Sequence, residues 1–342
     1  MKVQPRFLII RFSSFGDVTQ TLSVPSAIRA IYPDAEVHWI TRKDMAPLLQ
    51  YHPAIDRVWE YDRKSGLSGL FKLLQSMKQQ TSYTHIYDAH NNLRSRFVYW
   101  KLGLFRGTHF VRRSQKRWKR FLLFQLRKNT YRMPFSGQRD LLEPLAPWNI
   151  PEILPPTPQL FLSDSDREKA SELLGSLKNS SYIAMAPSAA FTLKRWPLDH
   201  FKELVRRMPK QNFVLLGGPE DTFIDEIAAV APDRVLNTAG RASLLVSSAL
   251  VERARVLVSN DTGILHVGEQ LGVPTIALMG PAPFGFPSRI SSTKILEVNL
   301  ACRPCSKHGQ GPCVNSNFHQ CLVDISPMQV ASEILRKLEV RG

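Results

Sequence analysis

Short apolar runs recur along the chain, separated by stretches whose apolar residues fall at helical spacing. Phe7 to Ile10, Glu36 to Ile40 and Thr84 to Tyr87 read as strands, while Thr19 to Ile31, Gly69 to Lys78 and Arg94 to Leu104 read as helices. The second half repeats the alternation more strongly. Tyr182 to Ala186, Phe213 to Leu216, Val256 to Val258 and Pro274 to Leu278 are short continuous apolar runs of the kind buried in parallel sheets. An α/β chain of two Rossmann-like units with parallel sheets is therefore predicted, each unit offering a ligand crevice at the carboxyl ends of its strands. Ile325 to Leu338 has the spacing of an amphipathic terminal helix.

Between the halves, Pro144 to Gln159 (PLAPWNIPEILPPTPQ) holds six prolines, which disfavour helix and remove strand donors, so an extended linker is expected there. This divides the chain into residues 1–150, residues 151–326 and a terminal helix over 327–342. A chain of 342 residues with 43% hydrophobic side chains suits two domains that bury real cores. No apolar run approaches the roughly 18 to 20 residues of a spanning helix. Arg11 and Asp17 interrupt the N-terminal apolar stretch too early for a signal peptide, so a cytoplasmic protein is expected.

Charge changes the picture. The net is +16, and residues 1–150 hold 25 Lys and Arg against 10 Asp and Glu. The remainder is almost balanced, with 20 against 19. No acid lies between Asp88 and Asp140, a stretch that carries Arg94, Arg96, Arg106, Arg112, Arg113, Lys116, Arg117, Lys119 and Arg120 among its cations. Such a field attracts a polyanion or an anionic membrane surface.

Four loops at strand ends carry candidate chemistry. Arg11-Phe12-Ser13-Ser14-Phe15-Gly16-Asp17 offers small residues, an amide-rich helix start and a carboxylate facing the crevice; the plainer role for Asp17 is a helix N-cap. Ala186-Pro187-Ser188-Ala189-Ala190 precedes Lys194 and Arg195, and a small-residue turn with a cation can hold a diphosphate. Solvated surface cations are the alternative. Leu216-Gly217-Gly218-Pro219-Glu220-Asp221 places an acid where ribose hydroxyls could donate to it. Ser259-Asn260-Asp261-Thr262-Gly263-Ile264-Leu265-His266 opens a helix with an anion site at its start, and His266 either reaches that ligand or is a buried structural histidine.

As a set, these residues resemble the bacterial ADP-heptose:lipopolysaccharide heptosyltransferases, glycosyltransferase family 9. The resemblance runs through RFSSFGDVTQTLSVPSAIRAIYPDAEVHWIT, PSAAFTLKRWPLDHFKELV and LVSNDTGILHVGEQLGVPTIALMGP. It implies a GT-B architecture facing an interdomain cleft, with the acceptor on the N-terminal domain and the nucleotide sugar on the C-terminal one. It also implies inverting, metal-independent transfer of heptose from ADP-heptose to the lipopolysaccharide inner core, with Kdo or heptose as acceptor. Asp17 matches the general base, and Ser13, Ser14 and Gly16 match the acceptor end. Lys194, Ser188, Asp261, Thr262, Gly263 and His266 match the donor site, with Glu220 at the ribose. Ala189 and Ala190 stand where some members carry hydroxyls. Arg94 and Arg96 are expected to contact the acceptor, Arg112 to Arg120 to touch anionic lipid, and the terminal helix to pack back on the N-terminal domain. The expected protein is a monomer bound peripherally to the cytoplasmic face of the inner membrane.

All four cysteines fall together as Cys302, Cys305, Cys313 and Cys321. A structural zinc site, reduced thiols in a packed loop and a redox role are the open readings. A basic nucleic-acid binder, with Trp118, Phe121, Phe124 and Tyr131 stacking on bases, is the competing function. A family member using another nucleotide sugar is a second alternative. A dehydrogenase is disfavoured because no G-x-G-x-x-G follows the first strand.

Overall fold

The computed structural model describes residues 4–104 and 107–339. It divides into two compact units, one built from the chain up to Lys116 with Gln138–Phe161, the other from Arg117–Gly137 with the chain from Leu162 onward.

In the first unit β1 (Arg6–Ile10), α1 (Phe15–Thr21), α2 (Ser23–Ile31), β2 (Glu36–Arg42), β3 (Arg57–Tyr61), α3 (Gly66–Gln80), β4 (His85–Asp88), α4 (Leu93–Leu102) and β5 (His109–Arg112) follow in order. The strands form one parallel sheet in the order β3-β2-β1-β4-β5. Leu8, Ile10 and Ile40 share a core with Leu70, Leu74 and Met77 of α3 and Val98 and Leu102 of α4. Strand order reverses between β1 and β4, so the loops after these strands flank the switch point at which doubly wound sheets bind ligands. The single helix expected over 19–31 is two helices meeting at Leu22, with Pro25 in the first turn of α2, where its missing N–H costs nothing.

After α5 (Arg117–Gln125) and α6 (Gly137–Leu142), the second unit contains α7 (Asp164–Leu174), β6 (Tyr182–Ala186), α8 (Leu198–Arg207), β7 (Asn212–Leu215), α9 (Asp225–Ala228), β8 (Val235–Asn237), α10 (Leu244–Arg253), β9 (Val256–Asn260), α11 (Gly263–Leu271), β10 (Thr275–Met279), β11 (Thr293–Glu297), α12 (Gln320–Val323) and α13 (Pro327–Glu339). Its sheet is also parallel, ordered β11-β10-β9-β6-β7-β8, and reverses between β9 and β6. Here the switch point lies between the loops after Ala186 and Asn260.

Three boundary expectations need correction. The proline stretch does not begin as an extended linker: Glu143–Trp148 is a 3₁₀ turn, with Trp148 edge-on to Phe7 and His85 and with Leu145 and Ile150 buried. The first unit therefore runs to Phe161 rather than residue 150. Residues 117–137 belong to the second unit, because Phe124, Tyr131 and Phe135 surround the ring of Phe284 at centroid distances of 5.5–6.1 Å. Six cations of the basic stretch move with them, so the charge is less segregated than the sequence halves imply. Finally, the terminal helix α13, expected on the N-terminal domain, has its buried face, Val330 and Ile334, in the core of the second unit against α8. Residues 340–342 of that expectation lie outside the described residues.

Candidate functional sites at the two switch points

β1 is apolar from Phe7 to Ile10 and then meets Arg11, which is 5% exposed. A buried guanidinium needs partners. Its Nη2 pairs with Asp17 Oδ2 at 2.7 Å and its Nη1 donates to the Ala89 carbonyl at 2.6 Å, which ties the loop after β1 to the loop after β4. Ser14 is the N-cap of α1, so Asp17 is the third residue of the helix and not its cap. The Ser14 hydroxyl donates to Asp17 Oδ2 at 2.8 Å, and the Ser14 N–H does so at 3.3 Å. One carboxylate oxygen is thus saturated, and Oδ1 has no protein partner among the described residues. Burial alone would raise the Asp17 carboxyl; Arg11, the Ser14 hydroxyl and Arg113 together outweigh it and hold it down at about 2. His90 packs edge-on to Phe12, and burial lowers its imidazole to about 4, leaving it neutral at pH 7.

Arg94 and Arg96 are exposed on the first turn of α4, at the carboxyl edge of the same sheet. Part of the expected lipid-facing stretch is committed inside the unit instead. Arg112 pairs with the fully buried Asp88, Arg113 with Asp140, and Lys116 with both Asp140 and Glu143. Arg106 lies outside the described residues.

In the second unit the loops after β6 and β9 meet through Asn260, which donates to the Pro187 carbonyl at 2.7 Å and accepts from the Trp196 N–H at 3.0 Å. This lock brings two expected donor residues together: Lys194 Nζ lies 2.6 Å from Asp261 Oδ2, both largely buried. Thr262 is the N-cap of α11 with its hydroxyl uncommitted to the cap, and the helix amides begin at Gly263. His266 is buried, and its Nδ1 is held 2.9 Å from Glu269, whose other oxygen accepts from the Ser288 and Arg289 amides. Glu269 thereby fixes the ring and leaves Nε2 as the nitrogen able to meet a ligand. Ser188 donates to Asp221 at 2.6 Å, and Asp221 also accepts from the Gly218 amide. Glu220 is exposed in the loop after β7, so its neighbour Asp221, the second acid of that loop, is the one that shapes this turn.

Backbone also closes on the pair. A Cβ at Gly285 would lie 1.7 Å from Asp261 Oδ1, and one at Gly309, where φ is +81°, would lie 2.5 Å from Lys194 Cγ. The cysteine loop containing Gly309 therefore braces Lys194, and the His319 ring donates to the Leu193 carbonyl at 2.9 Å. All four cysteines are free thiols lining, with His319, one void of about 10 Å³. Cys313 and Cys302 sulfurs accept from the His319 amide and the Asn315 side chain, and burial pushes Cys321 up to about 11, so its thiol is neutral. Among the described residues no three His, Cys, Asp or Glu side chains are arranged to hold a metal ion.

Arg11, Asn260 and Asp221 stand in the candidate loops without a role assigned from sequence, and Glu269 is the residue sequence reading misses. Their signal is a charged or amide side chain inside or just after an apolar run. The base-stacking reading loses Phe124 and Tyr131, which pack on Phe284, while Trp118 and Phe121 stack on each other and stay exposed. No helix among the described residues is long and apolar enough to cross a membrane.

Comparison with known proteins places these sites in context. Residues 70–316 match the family model of glycosyltransferase family 9 (heptosyltransferase). The lipooligosaccharide heptosyltransferase 2 of Haemophilus ducreyi is 26% identical, over 96% of this chain and 98% of that protein. A glycosyltransferase family 9 structure from Veillonella parvula superposes with a TM-score of 0.81 at 20% identity, over 99% of both chains. The Escherichia coli ADP-heptose LPS heptosyltransferase II superposes with a TM-score of 0.72 at 21% identity, over 98% of this chain and 99% of that one.

Proposed function

The chain belongs to glycosyltransferase family 9 (heptosyltransferase), and on that premise we propose that it transfers heptose from ADP-heptose to the inner core of a lipopolysaccharide precursor. The observation that carries this reading is Asp17: a carboxylate at the first unit's switch point with one oxygen locked by Arg11 and Ser14 and the other without a partner. Oδ1 takes the proton of an acceptor hydroxyl as that oxygen bonds to the anomeric carbon of the sugar. The anomeric bond to ADP breaks on the opposite face, and its electron pair leaves on the diphosphate. Ser13, Ser14 and Gly16 line the acceptor end.

Lys194 and the first amides of α11 meet the charge that develops on the leaving diphosphate, the role a metal plays in other transferases. Thr262, Ser188 and His266 Nε2 orient diphosphate and sugar, and the exposed Glu220 is placed to accept from ribose hydroxyls. A carboxyl near 2 is a weak base, so positioning supplies much of the acceleration.

The protein acts as a monomer at the cytoplasmic membrane face. α5 supports this part of the reading, because it presents Trp118, 68% exposed, and Phe121 beside Arg117, Lys119 and Arg120. The deciding experiment incubates the chain with ADP-heptose or unrelated nucleotide sugars and truncated lipopolysaccharide acceptors. ADP release is expected only with ADP-heptose and acceptor together. Turnover confined to another nucleotide sugar, or none at all, overturns the assignment.

A further inference from the structure

α3 and α4 begin at the carboxyl edge of the first sheet, the edge that carries Asp17, and their first turns enclose an open cavity of about 630 Å³. Its walls are Leu67, Leu93 and Phe97 with Asn92 and Arg94. The apolar walls are unusual in being wet: Leu67 is 69% and Leu93 83% exposed. Single exposed leucines need no explanation, but two across one cavity, bordered by the half-exposed Phe71 and Trp100, form a patch of the kind that covers itself with a ligand. Asn92 is spent on capping α4, through its side-chain oxygen and the Ser95 N–H at 2.9 Å. Arg94 is thus the polar group left for a ligand, and no acid of the described residues pairs with it. Lys101 adds a second cation over the Phe71 and Trp100 rings at 4.9 and 4.5 Å.

Charge and shape name the occupant. An apolar trough within a ligand-sized volume calls for hydrocarbon, and the unpaired cations at its rim call for an anion attached to that hydrocarbon. Its place on the edge that carries the base calls for a molecule whose other end reaches Asp17. We infer that the groove between α3 and α4 holds an acyl chain of the glycolipid acceptor, with Arg94 pairing with an anionic group of its head. This rests on the transferase reading above.

The test compares wild type and Leu93→Gln, with Leu67→Gln as a second variant. Both side chains are solvent-exposed, so the fold is not at stake. Kinetics and equilibrium binding are measured with the acylated acceptor in detergent micelles and with the same glycan after chemical de-acylation. Each variant is expected to raise KM and Kd for the acylated acceptor by at least about tenfold, the scale of one lost apolar contact. Parameters for the de-acylated glycan should stay within about twofold, since no apolar contact is at stake there. Equal losses on both acceptors, or no loss on the acylated one, overturn the groove. So does an equal loss of binding to phosphatidylglycerol vesicles lacking acceptor, which would make the patch a general membrane surface. If wild type turns over neither acceptor, the transferase reading fails, while the binding isotherms still decide the groove.

Discussion

Replacing Asp17 with asparagine preserves the outline of the side chain and removes the one atom assigned to take the proton. The geometry fixes what survives. The amide oxygen can still accept from Arg11, the Ser14 hydroxyl and the Ser14 N–H, the three donors that now converge on Oδ2. In place of the partner-free Oδ1 stands an NH₂ that cannot accept a proton. Loss of a general base costs about 10²–10⁴ in rate. The low basicity of a carboxyl held at about 2 takes about an order of magnitude off what the base can contribute, for a Brønsted slope near one half. The expected loss is therefore about 10- to 10³-fold in kcat, because the proton acceptor is gone while the loop is kept. Affinity for the nucleotide sugar should be unchanged, because Lys194, Asp261 and α11 belong to the other unit. ADP release at saturating acceptor gives kcat, and calorimetric titration of the same sample with ADP-heptose gives the affinity. A folded, donor-binding Asp17→Asn enzyme that keeps more than about a tenth of the wild-type rate refutes the assignment of Asp17 as base.

Arg11→Met leaves burial, which raises the Asp17 carboxyl, opposed only by Ser14 and Arg113. The acidic limb of kcat/KM should climb from about 2, so that the variant loses activity at a higher pH than wild type; superimposable profiles would show that Arg11 does not set the base. Lys194→Met removes a charge-assisted contact worth about 1.5–3 kcal/mol, so ADP should bind about 10- to 100-fold more weakly, and an unchanged isotherm takes Lys194 out of the donor site. The same change leaves the buried Asp261 without its cation, and a lower Tm should accompany it. Burial holds His52, His85 and His90 at about 4, below the unfolded value of 6.5. The unfolded chain thus binds more protons between pH 6.5 and 4, and stability falls as pH drops through that window, by at most roughly 3 kcal/mol per histidine. Thermal melts of wild type and His85→Gln across pH 7 to 4.5 check this, and equal slopes for the two would remove His85 from the account.

The strands are legible because a parallel strand covered on both faces is apolar at every position. Tyr182–Ala186 and Thr275–Met279 are buried at every residue, and no period has to be guessed. The assignment of residues 117–137 to the second unit is not legible. It depends on Phe124, Tyr131 and Phe135 meeting Phe284, some 150 positions away, and nothing local distinguishes those rings from an amphipathic surface helix. The same division runs through the sites. Asp17, Lys194, Asp261 and Thr262 stand just past strand ends, where a polar residue faces the crevice by topology alone. Arg11 and Glu269 sit among apolar neighbours and read locally as interruptions of a strand and a helix. Their roles appear only when burial is known, since a charge 5% exposed or wholly buried persists only by being paired. Each is paired with the residue it orients, Arg11 with Asp17 and Glu269 with His266. A buried charge at the end of an apolar run is therefore itself a pointer: the candidate site residue it holds lies within one loop or one helical turn, six residues on from Arg11 and three back from Glu269.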